Sequence, residues 1–271
     1  MSEQDALFPW KGLEVQPSGR WPIETAVPVE IPLVVEVNGR PAATLMALPG
    51  MERELAVGFC LGDGLVASFP DIFVVHYCRD EATFSGRDRP GGVVRLQVRP
   101  EAVREQGSGP RLVLSGCGSV PISLEALELP PLPPPGGPLL SSPALWAMAR
   151  TLRRSPPLYR QAGAVHAAGL FDPAGESLVL AEDIGRHNAV DKVLGAALLR
   201  GLPLSDKVLL TTGRASHELV VKALRLGVPV AGSLSAPTSL ALELAQQGRC
   251  TLVGRLRRER FVIYTCPERI G

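Results

Sequence analysis

The segment IPLVVEVNGRPAATLMA places Asn38-Gly39 between two apolar runs, and that arrangement predicts a β-hairpin. Pro49-Gly50 then breaks the chain. In the following MERELAVGFCLGDGLV, Leu55, Phe59 and Val66 recur at spacings that share one face of a helix, with Cys60 packed beside them. Two more apolar runs, Ile72 to Tyr77 and Val93 to Val98, read as strands separated by the polar, turn-rich RDEATFSGRDRPGG. These elements predict a small α+β domain with an antiparallel sheet.

A proline-rich stretch, PPLPPPGGP, marks a boundary, dividing the chain into an N-terminal domain over 1–129, a linker over 130–138 and a second domain over 139–271. The second domain opens with SSPALWAMARTLRR, where Ser142 is an N-cap candidate and Pro143 suits the first helical position. Strand-like and helix-like stretches then alternate. Ala164 to Phe171 and Ser177 to Ala181 flank the turn DPAG, and a helix runs from Arg186 to Leu199. A strand at Val208 to Thr211 precedes the helix HELVVKALRLG, capped by Ser216. A strand at Val228 to Ala231 precedes SLALELAQQ, capped by Thr238, and strands at Thr251 to Leu256 and Phe261 to Tyr264 follow. The alternation predicts a three-layer α/β domain with a largely parallel sheet.

Hydrophobic residues are 45% and charged residues 20% of 271, which fits a folded chain and excludes a disordered one. No run of 18 apolar residues occurs, and MSEQDALFPWK lacks the basic start and apolar stretch of a secretory signal. Membrane insertion and export are therefore not expected. Residues 1–137 carry 11 Lys and Arg against 17 Asp and Glu, net −6, while residues 138–271 carry 17 against 10, net +7. The second half is thus the place to look for an anionic ligand. Five cysteines, Cys60, Cys78, Cys117, Cys250 and Cys266, form no CxxC and no zinc spacing, as expected of reduced thiols in a cytosol.

Four stretches carry candidate chemistry. In RLVLSGCGSVP, glycines on both sides of Cys117 free the backbone and aim amide groups at the sulfur, making it the best nucleophile candidate of the five; a small residue in a tight turn fits the same pattern. EDIGRHNAVDK joins a strand end to a helix start and gathers Glu182, Asp183, Arg186, His187, Asp191 and Lys192, either as an anion site or as caps and ion pairs. His187 and Asp191, four apart, can pair on that helix. A second strand-to-helix junction, TTGRASHE, supplies Gly213, Arg214, Ser216 and His217. GRLRRERF places Arg255, Arg257, Arg258 and Arg260 within six positions, dense enough to grip a diphosphate or to form a solvated edge. His166 in AGAVHAAGL and the loop SAPTSLA, with Ser235, Thr238 and Ser239, complete the set. No Walker A loop or GxGxxG is present, so neither ATP nor a nicotinamide cofactor is indicated.

In this order, VNGRPAATLMALPGMERELAVGF, SGCGSV, AVHAAGL, EDIGRHNAVDK, TTGRASHELVVKA, SAPTSLA and IYTCPERI resemble the formate dehydrogenase accessory sulfurtransferase family, FdhD, from about Glu30 to Ile270. The resemblance implies a cytoplasmic protein, commonly a homodimer. Its members pass sulfur from a cysteine desulfurase to the molybdenum or tungsten bis-molybdopterin guanine dinucleotide cofactor needed by formate dehydrogenase. It also implies a second domain with a cytidine deaminase-like fold. Cys117 falls on the family's persulfide-forming cysteine. Arg255, Leu256, Arg257, Arg258, Glu259 and Arg260 fall on the segment associated with the guanine dinucleotide. Arg186, His187, Asp191, Lys192, Gly213, Arg214 and Ser216 are expected, on their chemistry, to complete that pocket. The cofactor is cargo, with no resident metal and no nucleic-acid partner expected.

The chain departs from the family in one respect: many members carry CxxC, whereas Val120 stands three positions after Cys117. Cys117 alone would then carry the persulfide, with an outside reductant or a distant cysteine completing the cycle. A non-catalytic chaperone that only binds and delivers the cofactor is the competing reading, and a Cys/His hydrolase pairing Cys117 with His166 or His187 is a third. Zinc deamination is disfavoured, because His166-Ala167-Ala168 lacks the glutamate of HxE and no PCxxC follows.

Overall fold

A computed structural model describes residues 6–79, 91–104, 111–113, 129–154 and 156–271. The hairpin predicted at Asn38-Gly39 is present. β3 (Ile31–Val37) and β4 (Arg40–Ala47) pair antiparallel, and Asn38 and Gly39 both take the positive φ that a two-residue turn requires, 50° and 76°. Leu33, Val35 and Leu45 point inward from this hairpin under α1 (Glu52–Gly62), and all are essentially inaccessible. The helix ends four residues short of Val66. Asp63 caps it and Gly64 turns at φ 76°, so Val66 joins the core from a bridge to Val103 rather than from the helical face.

β5 (Ile72–Cys78) and β6 (Gly92–Val98) complete, with β7 (Arg111–Val113), a five-stranded sheet of order β5-β6-β3-β4-β7. The sheet is mixed, not antiparallel as expected: β3 pairs β6 in parallel and β4 pairs β7 in parallel. Local alternation fixes which face a strand buries, and strand direction depends on how distant segments return. The Trp-containing start forms a ribbon the sequence reading left unassigned, β1 (Leu7–Gln16) against β2 (Gly19–Pro28).

Beyond the prolines stand α2 (Ser142–Arg154) and the unforeseen one-turn helix α3 (Pro157–Ala162). Ser141, not Ser142, caps α2, its Oγ accepting from Ala144 N at 3.3 Å. β8 (His166–Phe171), β9 (Ser177–Asp183), β10 (Val208–Thr211), β11 (Val230–Ser233), β12 (Thr251–Gly254) and β13 (Val262–Ile263) form a sheet of order β13-β12-β11-β10-β8-β9. β10, β11 and β12 are parallel to one another. β8 runs antiparallel to β9 and β10, and β13 antiparallel to β12, so the sheet is mixed where a largely parallel one was expected. One face packs on α4 (Arg186–Leu199), α5 (His217–Arg225) and α6 (Ser239–Gln247); the other packs on Leu145, Met148, Ala149 and Leu152 of α2. Three layers result, as expected of an α/β chain.

α1 crosses α4 so closely that only glycine fits at the crossing. A Cβ on Gly58 would stand 2.8 Å from Asp191 Cα, and one on Gly195 would stand 2.8 Å from both the Glu54 carbonyl carbon and the Gly58 nitrogen. Beside this crossing the end of β4 is tied to the start of α4. Asp183 accepts from Leu48 N (3.1 Å), Gly185 N and Asn188 Nδ2 (both 3.0 Å), and pairs with Lys192 Nζ at 2.7 Å. Among the described residues no helix is long and apolar enough to cross a membrane.

Candidate functional site

The carboxyl ends of β9, β10, β11 and β12 and the start of β8 lie along one edge of the six-stranded sheet, because β8 runs against its neighbours. Loops and helix N-termini converge there, the usual ligand edge of open α/β sheets. Arg186 opens α4 on Gly185, and its side chain lies over Gly213, where an added Cβ would stand 2.7 Å from Arg186 Cβ. Gly213 is in turn fixed through its N–H to Thr211 Oγ1 (3.1 Å), and its carbonyl accepts from Ser233 Oγ. The same Ser233 Oγ accepts from Ser235 N at 2.8 Å, and Ser235 O accepts from Arg255 N at 2.7 Å. A continuous chain of contacts thus joins the two strand-to-helix junctions to the SAPTSLA loop and the arginine turn.

The edge is electropositive. Arg214, Arg255, Arg257, Arg258 and Arg260 are exposed, and no ion pair neutralises them or Arg186 among the described residues. Arg186 Nε is buried without a hydrogen-bond partner there, a donor with unspent capacity. Arg255 is held at φ 52°, a left-handed conformation uncommon for a side-chain-bearing residue. Two anchors hold that turn: Leu256, fully buried against Leu145 and Leu152, and the bond from Arg153 Nη2 to the Leu256 carbonyl. Leu256 therefore fixes the arginine turn from inside, and Glu259 sits exposed within it.

Two histidines at this edge, His166 and His187, are held neutral. Burial lowers His166, and the positive charges of Arg186 and Arg214 lower it further. Burial pushes His187 down to about 4, against the pull of Glu218. Its Nε2 lies 3.1 Å from Ser216 Oγ and 3.5 Å from Glu218 Oε2. Ser216 occupies the N-cap position of α5 without making the side-chain cap bond expected of it, its hydroxyl lying instead against His187; Thr238 does make its bond, accepting from Ala241 N.

Asp191 and Lys192 lie elsewhere, in the interior, 2% and 1% exposed. Asp191 pairs with Lys222 at 2.7 Å, not with His187, and Asp63 at the end of α1 pairs with the same ammonium. Burial lifts the Asp191 carboxyl above its usual range, with Lys222 pulling it back. Lys192 Nζ donates to Leu48 O (2.8 Å) and Glu182 O (3.2 Å). Lys192 thus ties α4 to the end of the N-terminal hairpin, and Asp191 ties α4 to α5. Sequence reasoning missed Lys222, Glu218 and Asp63; only the helical spacing of Lys222 on the face buried with Val221 hints at its place.

Cys117 and Val120 lie outside the described residues. Of the other cysteines, Cys60 and Cys250 are inaccessible; burial raises both thiols, Cys250 to about 12.

Fold and site together define an α/β protein with a basic edge, built of arginines at strand ends and helix N-termini. The sequence model of the FdhD/NarQ family matches residues 28–271, and the chain belongs to that family. Sulfur carrier protein FdhD of Mycobacterium tuberculosis is 40% identical over 250 residues, covering 89% of this chain and 90% of that one. The Nocardia farcinica protein of the same name is 35% identical over 265 residues, covering 95% and 92%. A crystal structure of a formate dehydrogenase accessory protein from Desulfotalea psychrophila superposes with TM-score 0.79 at 30% identity, covering 98% of this chain and all of the other.

Proposed function

We propose that this protein is a sulfur carrier that takes sulfane sulfur from a cysteine desulfurase as a persulfide on Cys117. It hands that sulfur to a molybdenum or tungsten bis-molybdopterin guanine dinucleotide cofactor destined for formate dehydrogenase. The Cys117 thiolate attacks the outer sulfur of the desulfurase persulfide, and the desulfurase thiol leaves. Passing that sulfur on as sulfide takes two electrons, supplied by an external thiol pair that ends as a disulfide. Arg186, Arg214 and the Arg255 to Arg260 turn bind the cargo's diphosphates by charge-assisted hydrogen bonds, and the neutral imidazole of His166 leaves that positive field to the guanidiniums.

The observation that carries this reading is the place where the chain leaves toward Cys117. Val113, the last residue of β7, pairs with Leu45, three residues before Leu48 is bonded to Asp183 beside Arg186. Because β7 runs parallel to β4, the chain leaves Val113 heading toward the end of β4 that is tied to α4, and the four residues from there to Cys117 can span up to roughly 13 Å, which supports this reading. A cytoplasmic homodimer belongs to the same reading. So does a cytidine deaminase-like second unit, supported by an antiparallel β8-β9 hairpin beside parallel β10, β11 and β12.

The test is peptide mass spectrometry after incubation with a cysteine desulfurase and cysteine, together with guanosine diphosphate binding. A one-sulfur increment on Cys117 that Cys117→Ala removes, with nucleotide binding retained, is expected. Restoration of formate dehydrogenase activity in cells by Cys117→Ala would instead make the protein a cofactor chaperone.

A further inference from the structure

On the solvent face of the five-stranded sheet, opposite α1, three polar side chains gather about a second thiol. His76 on β5 and Glu36 on β3 both stand in register with Arg95 on β6, and Cys78 lies two residues beyond His76 on the same face of β5. Cys78 Sγ is 3.3 Å from His76 Nδ1 and accepts from Arg95 Nη1 at 3.3 Å, while Arg95 Nε donates to Glu36 Oε2 at 2.9 Å. Glu36 thereby orients the guanidinium, leaving its other arm on the sulfur. β5 is an edge strand of this sheet, so among the described residues its outer side carries no further strand. Of the described cysteines, Cys60 and Cys250 are sealed, and only Cys78 meets both an imidazole and a guanidinium at an open edge.

We infer that Cys78 is a second sulfur-accepting thiol, taking sulfane sulfur from a persulfide presented at the β5 edge. The position three after Cys117, where a neighbouring thiol would serve, holds Val120. His76 takes the thiol proton; the Cys78 thiolate attacks the outer sulfur of R–S–SH, the bond between the two donor sulfurs breaks, and R–S⁻ leaves with the proton returned by His76. Cys78–S–SH forms with no oxidant or reductant consumed, and Arg95 holds the charge of the persulfide anion. The inference rests on the sulfur-carrier reading only for the source of the persulfide.

The test uses the full chain as wild type, Cys117→Ala, Cys117→Ala with Cys78→Ser, and Cys117→Ala with Arg95→Gln. Each is exposed to glutathione persulfide, alkylated and mapped by peptide mass spectrometry. In Cys117→Ala, Cys78 should gain one sulfur about tenfold faster than Cys266 of the same molecule. Arg95→Gln should slow that loading several-fold, and Cys78→Ser should abolish it. Cys78 gaining sulfur no faster than Cys266 overturns the inference. Loading of Cys117 in the wild type, with none on Cys78 in either protein, retains the sulfur-carrier reading and removes this one; loading of Cys78 with none on Cys117 does the reverse. Cys78 and Arg95 are not core residues, and unchanged thermal unfolding of the variants separates lost reactivity from lost fold.

Discussion

Replacing Gly58 by Ala probes the joint that carries the functional edge. The new Cβ would stand 2.8 Å from Asp191 Cα, with the Asp191 carbonyl nearer still, whereas ordinary contact begins at 3.4 Å. The neighbour is backbone in the middle of α4 and has no rotamer to give, so α1 and α4 must part by more than half an ångström along the crossing. Overpacking of this kind costs about 1–3 kcal/mol and more where backbone opposes backbone, while Gly to Ala inside a helix returns about 1 kcal/mol of propensity. A net loss of about 2 kcal/mol is expected, a fall in Tm of roughly 4–8 °C for units of this size. The assay is urea unfolding followed by circular dichroism, run with Gly195→Ala and the double variant. Both added methyl groups wedge apart the same crossing, and separation forced by one makes room for the other, so their losses should fall well short of additive. Gly58→Ala that stabilises by about 1 kcal/mol, the propensity gain alone, would refute a close α1–α4 crossing.

Lys222→Met leaves Asp191 buried without its cation and should cost about 3–5 kcal/mol; adding Asp191→Leu should recover much of it, read from urea midpoints. His187 is held near 4 against an unfolded value of about 6.5, so the unfolded chain binds the extra proton between those values. The contribution is whole above pH 6.5 and is lost as pH falls toward 4, by at most about 3 kcal/mol, with His166 adding in the same direction; His187→Asn should flatten the stability profile over that window. Gly213→Ala drives a methyl group against Arg186 Cβ and should displace that side chain, weakening guanosine diphosphate binding several-fold by calorimetry and lowering Tm by a few degrees. Affinity for that nucleotide should also fall with salt, and Arg257→Ala with Arg258→Ala should reduce both affinity and salt dependence.

Much of the site was legible because its residues cluster locally. Arg186 opens its helix as read, Gly213 and Arg214 follow the strand ending at Thr211, and Thr238 caps α6. Asp191 and Lys192 stand in the same eleven residues as Arg186, and sequence spacing alone assigns all of them to one pocket. A helix shows different faces at successive positions, so α4 presents Arg186 to the open edge at its first turn and turns Asp191 and Lys192 under α1. The Cys78, His76, Arg95 and Glu36 cluster left no mark in the sequence, since its members come from three strands and meet only in register.

Taken by itself, the sequence determined what is encoded within a few residues: the Asn38-Gly39 turn, the α4 to α6 helices, the charge imbalance between the halves, and the family motifs from Glu30 to Ile270. Tertiary structure alone decided strand direction, making both sheets mixed, and decided which charges are spent on holding the molecule together. Lys222 and Asp191, like Lys192 and Asp183, are committed to buried pairs, with Asp63 closing on Lys222 from the surface, while Arg186, Arg214 and the Arg255 turn make no ion pair among the described residues. The reason is physical: turn and helix preferences are local energies, whereas the worth of a charge depends on what is packed around it, and only the folded chain sets that.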